Sequence, residues 1–391
     1  MKLARRSLAG ASLIVICAFA GSATHAEDGN DPPNRYVVTN LTSDIPGVAS
    51  NTDPVLQNAW GVAFTPGASP FWIADNATGC STLYDGQGVP QPSPPPPLRV
   101  KIPLPDGTVT TACQHVDPNQ PPSPTPAAAT GLVWNPTSTF LVPNQNPPKA
   151  ATFIWDTEDG TISAWTGGLN PADQAVLAVN NSPDAVYKGL VFGTNVNGVF
   201  LFATNFRTGT VDVFGPNGPD GFFTPVTTDG GFIDPDIPAG FAPFGIQNIN
   251  GDLFVTYAKQ KLPDKHDDVA GQGNGFVDIF DTDGHLLKRF ASRGPLNSPW
   301  GVARASFAFG RFSGDILVGN FGNGKINAFD SRGNFLSTLR DLNGKPIVID
   351  GLWTVTLGGG RNSSSDTLYF TAGPNGETDG LFGTITPAPN Q

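Results

Sequence analysis

From residue 60 onward, apolar and polar positions partly alternate in runs of four to seven residues, each broken by Gly, Asn, Asp or Pro. Runs of that length and period are β-strands. They repeat in a fixed order. The first begins at or beside a glycine, as in Trp60-Gly61-Val62-Ala63-Phe64. The second ends in a small residue and then Asp or Asn, as in Phe71-Trp72-Ile73-Ala74-Asp75-Asn76. The third ends in an aromatic residue, often followed by Asp, as in Ser81-Thr82-Leu83-Tyr84-Asp85. The layout returns at 131–134, 151–155 and 160–165; at 189–192, 201–206 and 209–214; at 244–246, 253–257 and 275–281; at 300–303, 316–321 and 324–330; and at 352–355, 367–371 and 381–385. Glycines 61, 131, 189, 245 and 301 open the first five units, at intervals of 70, 58, 56 and 56 residues.

Asp281-Thr282-Asp283-Gly284 and Asp330-Ser331-Arg332-Gly333 read as hairpin turns leading to a fourth strand, near 286–290 and 335–339. Four antiparallel strands per repeat make the blade of a propeller. The sixth unit runs out of chain after three strands, and Tyr36-Val37-Val38-Thr39-Asn40-Leu41 is a spare strand at the other end. The expectation is therefore an all-β, single six-bladed propeller whose N-terminal strand completes the last blade and closes the ring. Pro-rich stretches at 90–97 and 118–126 are insertions in the first blade. No stretch beyond the N-terminal segment has a long helical period.

Composition agrees. The chain of 391 residues carries 47 Gly, 38 Pro and 27 Phe, with 14% charged residues, as suits a turn-rich β protein. The net charge of −11 repels phosphate backbones and anionic lipid, so neither nucleic acid nor a membrane surface is an expected partner. A monomer is expected.

Lys2, Arg5 and Arg6 precede an apolar stretch at 8–20, and Thr24-His25-Ala26 has small residues where a signal peptidase acts. Residues 1–26 read as a signal peptide and 27–391 as the propeller, exported to the periplasm or outside the cell. The apolar stretch is short for a membrane span, which needs about 20 residues. Arg5-Arg6-Ser7-Leu8 weakly resembles a twin-arginine signal, and Ile16 before Cys17 argues against lipidation. In an oxidising compartment the remaining pair, Cys80 and Cys113, reads as a disulfide.

The repeats resemble the NHL class of propeller repeats. Asn58-Ala59-Trp60-Gly61, Phe241-Ala242-Pro243-Phe244, Lys265-His266-Asp267-Asp268-Val269-Ala270-Gly271, Asn297-Ser298-Pro299-Trp300-Gly301 and Asp350-Gly351-Leu352-Trp353 also resemble an uncharacterised bacterial exported family. Its members often occur in organisms with the PEP-CTERM sorting system. The resemblance covers roughly residues 36–385. It implies the propeller fold and brings no activity or catalytic residues with it. The chain stops at Pro387-Ala388-Pro389-Asn390-Gln391, without a terminal sorting helix, so anchoring by that route is not expected.

In a blade of strands a to d, the b–c and d–a loops leave on one face. That face gathers Trp60, Trp300 and Trp353 with Glu158, Asn205, Asn320 and the long loop 259–274 of the fourth blade. The loop carries Lys259, Asp264, His266, Asp267 and Asp268. Asp264, His266 and Asp268 are candidate ligands for a divalent cation such as calcium, and His266 is a candidate general base. A polar loop whose carboxylates fix its own turns and pair with its lysines accounts for the same residues. Asp75, Asn205 and Asn320 recur at one repeat position, as side chains that bond the next turn's backbone do. The three tryptophans suit an inner-strand core as well as ligand stacking. His115 and His285 fall in loops as solvent-facing residues.

Gly319 to Lys325 has P-loop spacing, but Ile326 replaces the magnesium-binding Ser or Thr and a strand follows. No G-x-S-x-G and no H-E-x-x-H occur. Two functions stay open. One is a binding or scaffold module for a small molecule, glycan or protein. The other is a metal-dependent hydrolase or lyase of the lactonase-like propeller type.

Overall fold

The inner strand of every blade carries a bulge, and the residues at those bulges meet on the axis of a six-bladed ring. The structure, a computed structural model, describes residues 32–389 except 68, 94, 118, 121–124 and 217–220. The N-terminal segment read as a signal peptide lies outside the described residues. Strand β1 (Tyr36–Ser43) is followed by the short β2 (Asn51–Thr52). Blade 1 is β3 (Ala59–Ala63), β4 (Phe71–Asp75), β5 (Cys80–Tyr84) and β6 (Val100–Lys101). Blade 2 is β7 (Ala129–Trp134), β8 (Phe153–Thr157), β9 (Thr161–Trp165) and β10 (Val176–Asn180). Blade 3 is β11 (Tyr187–Asn195), β12 (Gly198–Asn205), β13 (Thr210–Gly215) and β14 (Thr224–Val226). Blade 4 is β15 (Phe241–Ile249), β16 (Asp252–Lys259), β17 (Phe276–Phe280) and β18 (Leu286–Ser292). Blade 5 is β19 (Pro299–Arg304), β20 (Ile316–Asn320), β21 (Ile326–Phe329) and β22 (Phe335–Thr338). Blade 6 is β23 (Leu352–Leu357), β24 (Leu368–Ala372) and β25 (Leu381–Pro387), completed by β1.

The ring closes as expected from the spare strand. β1 runs antiparallel to β25, from Tyr36 opposite Pro387 to Ser43 opposite Leu381. Tyr36 is buried, stacks on Phe309 and donates its hydroxyl to the Phe309 carbonyl at 3.0 Å, so the closing strand also grips blade 5. One addition was not read from the sequence: β2 pairs parallel to β1 and makes the last sheet five-stranded.

The c–d turns follow one chemical rule. Asp85, Asp281 and Asp330 each accept two backbone N–H groups of their own turn, and Gly88, Gly284 and Gly333 supply its left-handed residue, at φ +80°, +82° and +88°. Cys80 and Cys113 are bridged, with Cα atoms 6.0 Å apart, so the insertion is tied to the start of β5 as the cysteine pair implied.

The inner strands pack blade against blade at the opening glycines. A Cβ on Gly61 would lie 2.5 Å from the Thr130 carbonyl oxygen, one on Gly245 2.2 Å from that of Trp300, and one on Gly301 2.6 Å from that of Trp353. Buried hydroxyls stitch the same seams: Thr204 donates to the Phe244 carbonyl at 2.9 Å, and Thr354 to the Trp60 carbonyl at 2.7 Å across the closing seam. Gly245→Ala should therefore lower stability by about 2–3 kcal/mol in urea melts, as overpacked sites do. Gly167→Ala, where an added Cβ meets nothing within 4 Å, should shift it by less than about 0.5 kcal/mol.

Candidate functional site

In all six blades the register between the inner strand and its neighbour slips where the chain nears the axis. It slips between Ala59 and Val62, Ala129 and Leu132, Tyr187 and Gly189, Pro243 and Ile246, Pro299 and Val302, and Leu352 and Val355. A bulge re-aims the residue it carries. Here the residues before four of the opening glycines, Trp60, Lys188, Phe244 and Trp300, come together as a plug with Trp353, which precedes Thr354 in the sixth blade. Trp60 stacks on Trp353 with centroids 3.4 Å apart, Trp300 meets both edge-on at about 6 Å, and Phe321 stacks on the far face of the cluster. Lys188 is the one charged member. It is buried, with its ammonium 5.2 Å from the Trp60 ring centroid, 5.8 Å from Phe206 and 6.0 Å from Phe244.

Above the plug lies a polar layer contributed by the b–c and d–a loops. Lys188 forms a close ion pair with Glu158 of blade 2. Asn76 of blade 1 donates to the second Glu158 oxygen at 3.0 Å. Asn58 donates to Asn76 at 3.1 Å and to Glu377 of blade 6 at 2.8 Å, and accepts from the Trp353 indole at 3.1 Å. From blade 4, His266 brings Nδ1 to 3.9 Å from Glu158 and 2.9 Å from Asp267. Below the plug the channel narrows to a cavity of about 60 Å³ lined by Gly61, Gly131, Leu190 and Thr354. The aromatic plug thus floors the mouth of the channel.

No protein-family model matches the sequence. Among curated proteins, "Uncharacterized protein R648" of Acanthamoeba polyphaga mimivirus is 31% identical over 354 residues, spanning 90% of this chain and 79% of that protein. "Uncharacterized protein L690" of the same virus is 28% identical over 359 residues, 90% and 87% of the two chains. The chain belongs to the R648 family. Among solved structures, the soluble aldose sugar dehydrogenase of Escherichia coli superposes over 90% of this chain and all of its own, with a TM-score of 0.50 at 12% identity. A gluconolactonase from Xanthomonas campestris covers 85% of this chain and 86% of its own, with a TM-score of 0.45 at 14% identity. These likenesses are of fold.

The R648 relationship corrects the resemblance to a bacterial family tied to PEP-CTERM sorting: the relatives are viral. The physical reason lies in the motifs. Asn-Ala-Trp-Gly and Ser-Pro-Trp-Gly sit at the inner-strand bulges, where the ring dictates residue type whatever the export route. They report the fold, and they do so correctly.

Of the residues expected at the mouth in this R648-family chain, Glu158, His266 and Asp267 join the polar layer. Trp60 and Trp353 lie beneath it, stacked on each other, and Trp300 is half-buried with its indole donating to the Lys188 carbonyl at 2.9 Å. Asn205 and Asn320 are buried and turn away: Asn205 accepts from the Val186 N–H and donates to Asp212, and Asn320 donates to the Pro295 carbonyl. That is the turn-bracing role their recurrence suggested. Lys259 and Asp264 are exposed, and Asp264 offers its carbonyl to Arg207. Asp268 is half-buried. Among the described residues no group of three or more His, Cys, Asp or Glu is arranged to hold a metal ion, so the trio Asp264, His266 and Asp268 is not brought together.

Sequence reasoning passed over Lys188, Asn58 and Glu377. For Lys188 a signal existed: aligning the residue before each opening glycine puts a lone lysine among Trp, Phe and Thr.

Lys188 is also the electrostatic hub. Burial pushes Glu377 up to about 7, the Glu158 charge adds to the rise, and Asn58 and Lys188 restrain it. Burial likewise raises Asp268, against the Ser298 hydroxyl and the Lys188 charge. Burial works to raise Asp267 too, but its bond from His266 and the Lys188 charge leave it below the ordinary range. Replacing Lys188 with Met should strand Glu158 and destabilise by about 3–5 kcal/mol, with most of the loss recovered in K188M/E158Q; paired urea melts check this. Because Glu377 is raised above its ordinary 4.5, the folded state keeps its proton longer than the unfolded chain. Its contribution is full below that ordinary value and is lost as pH rises through about 7. Stability should thus decline between about pH 4.5 and 7.5, and Glu377→Gln should flatten that decline by about 2 kcal/mol, allowing for residual solvent contact. Melts across that range decide it.

Proposed function

We propose that the protein is a binding module that takes a small polar ligand in the bowl above the plug. One observation carries this reading: polar side chains from blades 1, 2, 4 and 6 converge on the ammonium of blade 3. Such a layer is not needed for ring closure, which the glycines and hydroxyls beneath it provide. It does what a ligand site requires, since it fixes several donors and acceptors on rigid strand ends over a floor that stops passage. The loop bearing His266 leans over the bowl from blade 4, held at its base by the Gly271 N–H bonded to Asn297 at 2.6 Å and by the Asn274 amide bonded to the Val269 carbonyl at 3.0 Å.

Export fits this reading, supported by the basic-then-apolar N-terminus and by the disulfide, a bond of oxidising compartments. Among the described residues no helix is long and apolar enough to cross a membrane.

A thermal-shift screen of sugars, lactones, amines, amino acids and calcium tests the site. At least one compound should raise Tm in the wild type and lose that effect in His266→Ala, whose own Tm should stay within about 2 °C because a half-exposed side chain is removed. If no compound shifts the wild type, or every shift survives His266→Ala, the bowl is not the site. A calcium shift lost in that variant would favour the metal-dependent hydrolase or lyase reading instead.

A further inference from the structure

Three charged side chains meet where the two outer strands of blade 4 face the connection that leads into it. The connection runs from residue 227 to residue 240, between the last strand of blade 3 and the first of blade 4. Asp278 is fully buried in β17, directly across from Arg289 of β18, whose Nε donates to it. The Nη2 of the same guanidinium donates to Asp234 of the connection. The Asp234 carboxyl also stands within hydrogen-bond reach of the Asp278 carboxyl. Two acids thus face each other and share one permanent cation. Tyr257 of β16 is the other titratable group beside them, and burial raises it well above its ordinary 10.0, so it stays neutral.

Blade 5 shows what this position does. Asn327 stands at the same place in its third strand, directly across from Thr338 of the fourth. It accepts the Thr338 hydroxyl at 2.8 Å and donates at 3.2 Å to the carbonyl of Pro295, in the connection leading into its own blade. Blade 4 repeats the arrangement with ionisable partners. Asp278 accepts from Arg289 across the sheet and, when it holds a proton, donates to Asp234 in the connection. Asp234 in turn shapes that connection, accepting the Asp236 N–H on its carboxylate at 2.7 Å and the Ile237 N–H on its carbonyl at 3.3 Å.

We propose that Asp278, Asp234 and Arg289 form a pH-sensitive latch, which holds residues 233–239 against blade 4 while one proton is shared between the two carboxyls and loosens them when that proton leaves. The latch is independent of the bowl. With the proton in place, one carboxylate answers one guanidinium and the protonated acid is a donor to the other. Without it, two carboxylates meet in a buried site around a single guanidinium, and the O–H donor is gone. Asp278 is fixed in the sheet, so the connection is the side that yields. Burial pushes Asp278 up from 3.8 to about 7, Arg289 restrains the rise and the Asp234 charge adds to it. Burial works to raise Asp234 too, but the Asp236 N–H and Arg289 leave it below its ordinary value, so Asp278 is the member that holds the proton. The contribution of Asp278 is therefore full below its ordinary 3.8 and is lost as pH rises through about 7. Both ends of the connection are fastened by other means. The Gly230 and Phe232 N–H groups donate to the Asp283 and Gly284 carbonyls at 2.9 and 3.0 Å, and Phe232 is buried against Phe202 and Phe280. At the far end the Gly240 carbonyl accepts the Gln260 N–H at 2.8 Å. The loosening is thus confined to the stretch between them.

The experiment is hydrogen exchange of the full chain from about pH 5.5 to 8.5, resolved to single amides and corrected for the intrinsic base-catalysed rate. Glu377 titrates in the same range, so the readout must be local. The Asp236 and Ile237 N–H groups should lose protection by at least about tenfold as pH rises through the midpoint near 7, while those of Gly230 and Phe232 keep theirs. Asp278→Asn gives blade 4 the neutral residue of blade 5, whose amide donates to Asp234 at every pH. It should keep the connection protected across the range. In Asp234→Asn the new amide donates to ionised Asp278, so the loss near neutral pH should vanish there too. If Asp278→Asn does not fold, Asp234→Asn carries the same readout. The latch is overturned if protection at Asp236 and Ile237 in the wild type does not change with pH. It is overturned as well if Gly230 and Phe232 lose protection in step with them, or if either variant, once folded, keeps the wild-type pH dependence.

Discussion

Close approach of the inner strands to the axis sets the terms for everything at the mouth. Side chains at the opening glycines would collide with the backbone of the next blade, at 2.8 Å or less for Gly61, Gly131, Gly245 and Gly301. Removing Cβ lets the carbonyls and amides of adjacent blades come into contact, and the buried threonine hydroxyls then bond across the seams. Each inner strand bulges one step before or at that position, and the sixth does so with Thr354 where the other five have glycine. The bulge turns a large side chain toward the axis, where the tryptophans and Phe244 fill the space that six strand ends leave. Ring closure, plug and mouth are thus consequences of one steric constraint, repeated around the circle.

Lys188 departs from that pattern, and the departure creates the polar layer. At the equivalent positions the chain spends aromatic surface or a threonine. A buried ammonium there requires a buried carboxylate, which Glu158 supplies from the neighbouring blade. Glu158 in turn needs donors for its other oxygen, and the Asn76–Asn58–Glu377 chain extends the network to blades 1 and 6. Networks of this kind are stable only when each member finds a partner. At the edge where the fourth blade's loop meets the start of the fifth, the Ser298 hydroxyl is set against the Asp268 carboxyl.

The strands were legible because their cause is local. Period-two runs, Asp-x-x-Gly turns and opening glycines each act within a few residues, and the observed bounds mostly agree with the runs to within two or three positions. β1 could be assigned to the last blade because a ring must close and one strand was left over. The bowl was only partly legible. His266 and Glu158 were reachable from loop length and blade topology, yet their approach to 3.9 Å spans 108 positions and two blades, which no local pattern encodes. Lys188 looked ordinary beside Tyr187 and Gly189. Its meaning depends on Trp60, Phe206 and Phe244, brought to it from blade 1, the end of a blade 3 strand and blade 4. Asn205 and Asn320 took the bracing side of the two readings their recurrence offered: each bonds the backbone of the loop that leads into its own blade.

The insertion in the first blade bears on the site as well as on the fold. Cys113 is tied to Cys80 at the mouth end of β5, and Arg99 pairs with buried Asp53 at 2.7 Å, so the inserted segment returns to the rim. There Gln57 accepts the Val116 N–H at 2.6 Å and donates to the carbonyls of Val116 and Thr378, at 3.1 and 2.9 Å. Gln57 precedes Asn58, and Thr378 follows Glu377. One side chain therefore joins the tethered insertion to both members of the Asn58–Glu377 bond. The Gly380 N–H, bonded to buried Asp44 at 2.8 Å, secures the far side of the same turn. A short non-helical turn, with Asn375 and Glu377 at φ +57° and +69°, would otherwise place its carboxylate loosely. The bridge at Cys80, remote in sequence from residue 377, is thus part of what holds Glu377 over the bowl.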